Sequence, residues 1–338
     1  MSATSSYATM GSSKVRTNSN FPVANFLHRL RRNAAQIAIR QSIVATAALS
    51  ISAQRSTVRF LVWLASSIPM LRRRVRENMI LALGDEVPAQ AERRYFQHAG
   101  WSLSGALATF HHGLTGTPIP GEVKFDETIR LLDEAVAEGR GVILTAPHWS
   151  GHELLAASVN LRHKNKHPMV MLVRQAPTPE RAARKQKWYN ALGAEIVLRP
   201  NGSSAIKDAV TYLKFLKHGK VLAITPDLLA DAEHGVEVSI FGRRARLHGG
   251  AFALAILARA PMIRASVQWQ GDSTAILAFE RAGVADTGDH DAIMRAAAQD
   301  WCRWFEGRLR ANPENWLFWL DRRWGRFLHA TPRTSTTE

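Results

Sequence analysis

His148 and Glu153 are the first residues whose types and spacing suggest proton transfer. His148 is the single histidine followed five positions later by an acid. A chain of this composition yields about one such spacing by chance, so placement has to carry the argument. The apolar run Gly141–Ala146 reads as a buried strand, and Pro147–His148–Trp149–Ser150–Gly151–His152–Glu153 follows it directly. In open α/β sheets ligands bind beyond the carboxyl ends of strands. Five helical residues turn through roughly 140° beyond a full turn, so the two side chains would face apart if both were helical. His148 is therefore expected in the strand–helix loop, with Glu153 in the first helical turn and folding back onto it. An acid on one ring nitrogen orients an imidazole and stabilises its cation; the other nitrogen can then take a proton from an attacking hydroxyl. A buried structural histidine is the alternative.

Other chemistries find less in the chain. His148 and His152 have metal-binding spacing, but no third ligand stands at a sensible distance, so no metal is expected. Ser150 lacks the G-x-S-x-G elbow of a nucleophilic serine. Neither a P-loop nor a G-x-G-x-x-G fingerprint is present, which removes support for nucleotide enzymes.

The strand-end rule extends to further residues. Met169–Val173 reads as a strand and is followed by Arg174; Glu195–Leu198 is followed by Arg199. Val221–Thr225 is followed by Pro226 and Asp227. A histidine, two acids and two arginines would thus converge on one sheet edge. Glu237 lies in the alternating segment Val236–Phe241, where it faces either solvent or the cleft as a second partner for His148. Helical segments at Ser150–His163, Pro179–Leu192, Ser203–Lys217, Gly249–Ala260 and Asp289–Arg310 separate these strands and two more, Met262–Gln268 and Thr274–Glu280. The alternation predicts an α/β layered fold with a largely parallel sheet flanked by helices.

These elements must be attached to a strongly basic chain. The 338 residues carry a formal charge of +16, and residues 1–100 hold 14 Lys and Arg against 4 Asp and Glu. Such an excess invites nucleic acid, a membrane surface or an acidic protein. No nucleic-acid-binding signature supports the first. Residues 1–20 read as a disordered tail and 21–110 as a basic helical region. Its apolar stretches, Ile43–Ala53 and Phe60–Leu71, fall short of the ~20 residues of a spanning helix. They predict amphipathic helices lying on or dipping into a membrane, or else helices packed on the core. Residues 111–330 would form the α/β domain. The aromatic segment Asn312–Trp324 would close the core or form an interfacial belt. The single cysteine excludes a disulfide framework.

From about Phe60 to Phe327 an ordered set of segments resembles the bacterial lipid A late acyltransferases and the related phosphatidylinositol-mannoside acyltransferases, within the lysophospholipid-acyltransferase superfamily. The set comprises Arg72–Arg76 with Glu77–Asn78, Ala146–Pro147–His148 through Glu153, Arg174, Thr225–Pro226–Asp227, Gly235–Val238 with Phe241–Gly242, and Pro313–Trp316 with Arg322–Trp324. Leu228–Leu229, Leu247–Gly250 and Val173 depart from the pattern and mark a divergent branch. The resemblance implies acyl transfer to a lipid or glycolipid hydroxyl from a thioester of acyl carrier protein or coenzyme A, with no further cofactor. It implies His148 as general base and Glu153 as its partner. Arg174 and Arg199 would bind anionic groups, while Asp227 and Glu237 would shape the site. Backbone N–H groups near Gly151 are candidate oxyanion donors. The same resemblance implies work on the cytoplasmic face of the inner membrane, against anionic lipid rather than nucleic acid. A basic nucleic-acid-binding protein and a catalytically idle lipid binder of the same fold are the alternatives.

Overall fold

Short apolar runs bounded by glycine or proline become the central strands, because a largely parallel sheet is covered on both faces and each strand must be apolar throughout. The computed structural model describes residue 45 and residues 48–332, apart from 113–122, 164–166, 175, 177, 192, 200–204, 231–234, 272–273 and 285–287. The chain divides at Ala48, and the described residues after it belong to one compact unit.

The strands are β1 (Val123–Phe125), β2 (Val142–Thr145), β3 (Met169–Arg174), β4 (Glu195–Arg199), β5 (Val221–Ile224), β6 (Val236–Ile240), β7 (Arg243–Leu247), β8 (Met262–Gln270) and β9 (Thr274–Ala282). Seven of them form one sheet in the order β1-β9-β8-β2-β5-β3-β4. Every pairing in it is parallel except β8 with β9. Strand β2 is buried at all four positions and lies between β5 and β8, at the middle of the sheet.

Helices α4 (Ile129–Ala137), α5 (His152–His163), α6 (Pro179–Ala191), α7 (Ala205–Lys217) and α8 (Gly250–Ala258) connect these strands. The long α9 (His290–Ala311) packs on α8 and on β6. Its N-terminus is capped by Asp289, whose carboxylate accepts from the Asp291 and Ala292 N–H groups. The α/β reading therefore holds, and the strands lie where apolar runs predicted them. Two elements carry little signal. Strand β1 has three residues, and β7 has the sequence Arg-Arg-Ala-Arg-Leu. In β7 the inward positions are Arg243, Ala245 and Leu247; Arg243 is accommodated by donating to the Phe241 and Thr331 carbonyls.

The N-terminal helices are α1 (Ile51–Ser66), α2 (Pro69–Leu83) and α3 (Ala91–His112). Helix α1 joins the end of one apolar stretch to the start of the other, carrying Arg55 and Arg59 between them. Pro69 opens α2, where its missing N–H costs nothing. Val75, Met79 and Ala82 of α2 are fully buried, so this helix packs on the core. Among the described residues no helix is long and apolar enough to cross a membrane. Most of residues 1–47, including the expected tail and the start of the basic helical region, lies outside the described residues.

The aromatic segment consists of two 3₁₀ turns, Pro313–Asn315 and Leu317–Leu320, followed by α10 (Arg322–Ala330). Trp316, Trp319 and Trp324 are buried, so the segment closes the core and is not an interfacial belt. The β6–β7 hairpin plugs into this cluster. Its two-residue turn, Phe241–Gly242, has positive φ at both positions, as a tight hairpin requires. Phe241 pays for that unfavourable backbone by burying its ring against Phe305, Trp316, Trp319 and Trp324.

Candidate active site

Register brings the reactive side chains together. Strands β2 and β5 pair in parallel with Thr145 opposite Ile224. His148 and Asp227 each lie three residues beyond that pair, so they emerge side by side. His148 Nδ1 is 2.8 Å from Asp227 Oδ1, and the His148 backbone N–H donates to Asp227 Oδ2 at 2.8 Å. A carboxylate only accepts, so Nδ1 carries the proton and Nε2 of the neutral ring is left as an acceptor.

Asp227 is fully buried and heavily supported. The Trp316 indole N–H donates to Oδ2 at 2.8 Å, and the Trp324 indole N–H donates to the Asp227 carbonyl at 2.9 Å. Burial opposes the Asp227 charge, yet His148 and these hydrogen bonds outweigh it and hold the carboxyl below its usual range. Burial likewise opposes the His148 cation. The Asp227 charge and hydrogen bond, with smaller effects from Glu153 and Asp321, outweigh it and leave His148 above its usual value. Phe318 stacks on the imidazole with ring centroids 4.1 Å apart, which fixes its plane.

The acid on Nδ1 is thus Asp227 and not Glu153. Glu153 opens α5, as expected, but its carboxylate sits 3.2 Å from His152 Nδ1. That same nitrogen lies 2.9 Å from the Trp149 carbonyl. Spacing within one loop suggested Glu153; pairing between neighbouring strands supplies a nearer partner 79 residues away.

The loop carrying His148 is itself clamped by the C-terminal segment. The His148 carbonyl accepts from Leu317 N–H at 2.9 Å, and Ser150 N–H donates to the Asn315 carbonyl at 2.5 Å. Asn315 in turn donates to the Val267 carbonyl and holds His98 at 2.7 Å. Gly151 has φ +95° at the turn into α5, and a Cβ there would press on Trp269 and Val267. Its N–H donates to Ser102 Oγ at 2.8 Å. The Ser150 and Gly151 N–H groups are therefore already engaged within the fold.

His148 lines a cavity of about 200 Å³. Leu144, Ala146, Leu155, Ala156, Met171, Leu172, Ala223, Ile224 and Leu228 give it apolar walls. His152, Lys185, Tyr189 and Thr225 add polar groups. Burial, with a contribution from Glu153, pushes the Tyr189 phenol up to about 12, so it remains a donor at neutral pH. Lys185 and Tyr189 escaped the sequence reading because helix α6 looks like an ordinary solvated helix. Their four-residue separation puts them on one face of it.

Arg174 and Arg199 end β3 and β4 and are register partners, so they share the carboxyl edge of the sheet with His148 and Asp227. Glu237 does not join the group. It faces solvent on the β6–β7 hairpin, 3.4 Å from Arg246 on the neighbouring strand.

A largely parallel α/β sheet with a histidine–carboxylate pair at its central strand ends, beside an apolar cavity, defines a fold whose site carries groups suited to proton transfer. The family comparison gives that class a narrower description. The model of the bacterial lipid A biosynthesis acyltransferases matches residues 35–326, and the chain belongs to this family. It is an acyltransferase, and its family's acceptors are lipids. No curated protein matches the chain.

Proposed function

We propose that this enzyme transfers a fatty acyl chain from a thioester, carried by acyl carrier protein or coenzyme A, to a hydroxyl of a lipid or glycolipid. The observation that carries the reading is the His148–Asp227 pair at the mouth of the apolar cavity. His148 Nε2 takes the acceptor's hydroxyl proton as that oxygen attacks the thioester carbonyl carbon. The tetrahedral intermediate then expels the thiolate. Nε2–H returns the proton to it, so ester and free thiol are the products. Asp227 holds the ring in the required tautomer and stabilises the imidazolium between the two transfers. Trp316 and the His148 backbone N–H keep Asp227 in place.

In this reading the apolar walls hold the acyl chain. Lys185 and Tyr189 supply charge and a hydrogen bond where the oxyanion develops. Arg174 and Arg199 serve anionic groups of the donor or acceptor. Glu153 acts through His152 and as a more distant charge on His148. A lipid acceptor places the work at a membrane surface, on the cytoplasmic side where acyl thioesters are made.

Lipid mass spectrometry tests the reading. Cells lacking the protein should lack one acyl chain on one lipid class, and the wild-type chain should restore it. His148→Ala, shown by circular dichroism to fold, should fail to restore it. Full restoration by His148→Ala would exclude His148 as the base.

A further inference from the structure

Between α1, α2 and α3, away from the His148 cavity, lies a second hollow of about 540 Å³. Arg59, Arg72, Arg93 and Arg94 line it together with Trp63 and Trp101. No carboxylate is among its lining residues. Arg94 binds Glu314 at 2.8 Å, and Arg72 is 3.8 Å from Glu92. Those contacts orient the side chains and leave an excess of positive charge. The Arg72 Nε–H is shielded from solvent and finds no acceptor among the described residues.

The flank of the hollow is apolar and exposed. Phe60, Trp63 and Leu64 stand on one face of α1 at helical spacing, with Ile68 and Met70 next to them. Trp63 is 61% exposed and Met70 72%. The Phe60 and Trp63 rings stack at 5.6 Å. Exposed apolar side chains grouped along one helix face in this way mark an interaction surface. Guanidiniums suited to a phosphate, beside aromatic and aliphatic side chains left exposed among the described residues, match one ligand: a lipid with a charged headgroup and hydrocarbon tails.

We infer that the hollow between α1, α2 and α3 binds the phosphate of an anionic membrane phospholipid, with Phe60, Trp63, Leu64, Ile68 and Met70 inserted among the neighbouring acyl chains. The site adjoins the catalytic loop. The Trp101 ring is 5.4 Å from that of Trp269, whose N–H donates to the Ser150 carbonyl. Glu314, which holds Arg94, directly precedes the Asn315–Trp316 segment that supports Asp227. A bound lipid would therefore set the bilayer surface against the helices beside His148. This deepens the membrane reading above, and its failure is separable from the failure of that reading.

The full chain is tested by flotation with vesicles of phosphatidylcholine alone and of phosphatidylcholine with phosphatidylglycerol. The wild type should prefer the anionic vesicles. Arg72→Gln with Arg93→Gln should lower that affinity about thirtyfold, whereas Arg295→Gln with Arg303→Gln, on α9 and outside the lining of the hollow, should change it far less. If the first double variant folds poorly, the exposed Arg93→Gln alone should cost about fivefold. Phe60→Ser with Trp63→Ser should weaken binding to both kinds of vesicle. Millimolar inorganic phosphate should not displace the wild type from anionic vesicles. Equal losses from the two arginine pairs would overturn the site in favour of diffuse charge, while leaving membrane binding intact. Displacement by inorganic phosphate would make it a site for free phosphate. Failure to bind any vesicle would remove the membrane reading as well.

Discussion

In the proposed reaction the chemistry of this site depends on Asp227. Its ionised carboxylate is buried and has three contacts, the His148 ring, the His148 backbone N–H and the Trp316 indole, while the Trp324 indole donates to the Asp227 backbone carbonyl. The two shifted groups work in opposite directions with pH. Asp227, held below its ordinary 3.8, contributes stability above that value and loses it as pH falls through its folded value. His148, held above 6.5, contributes fully below that value and loses it as pH rises through its folded one. The pair therefore stabilises the fold most between pH 3.8 and 6.5. Trp316→Phe keeps the ring and removes one donor to a buried charge. It should lower unfolding free energy by about 1.5–3 kcal/mol, measured by chemical denaturation. The same variant should lower kcat more than it changes KM, because Asp227 loses its fixed position. An unchanged kcat would limit Trp316 to packing.

At the scale of elements, much of this site was legible and some was not. The strand ends named His148, Asp227, Arg174 and Arg199 correctly as residues of one edge, because buried parallel strands announce themselves as apolar runs. Which acid meets His148 was not legible. Glu153 is near in sequence, but Asp227 depends on β5 lying beside β2, and strand order is a matter of long-range pairing that no local pattern encodes. The same applies to Trp316, which reaches Asp227 only because the two C-terminal 3₁₀ turns clamp the His148 loop. Strand β7 was missed because its inward Arg243 breaks the apolar alternation. The β6–β7 hairpin matters to the site through Phe241, which fills the space between the tryptophans supporting Asp227. Phe241→Ala should destabilise the protein by about 3–5 kcal/mol, read from the denaturation midpoint. It should also reduce activity beyond what the lost folded fraction explains; loss in strict proportion to unfolding would separate the hairpin from the site.

The whole molecule joins three distant parts of the chain at one point: the end of β2, the end of β5 and the segment around Trp316. Its +16 charge, at first a hint of any anionic partner, becomes specific where arginines of α1, α2 and α3 surround a hollow beside exposed apolar side chains. The central claim is that His148 acts as a base through Asp227. Only the neutral imidazole accepts a proton, so activity should rise as pH passes the folded His148 value, above 6.5. Asp227→Asn removes the charge that raises this value and leaves the burial that lowers it. The most direct measurement is the pH dependence of kcat/KM for the wild type, Asp227→Asn and Glu153→Gln. In Asp227→Asn the plateau should fall by about a hundredfold or more and the acid limb should move to lower pH. Glu153→Gln should shift that limb much less. A limb that moves down in Glu153→Gln and stays in place in Asp227→Asn would contradict the account.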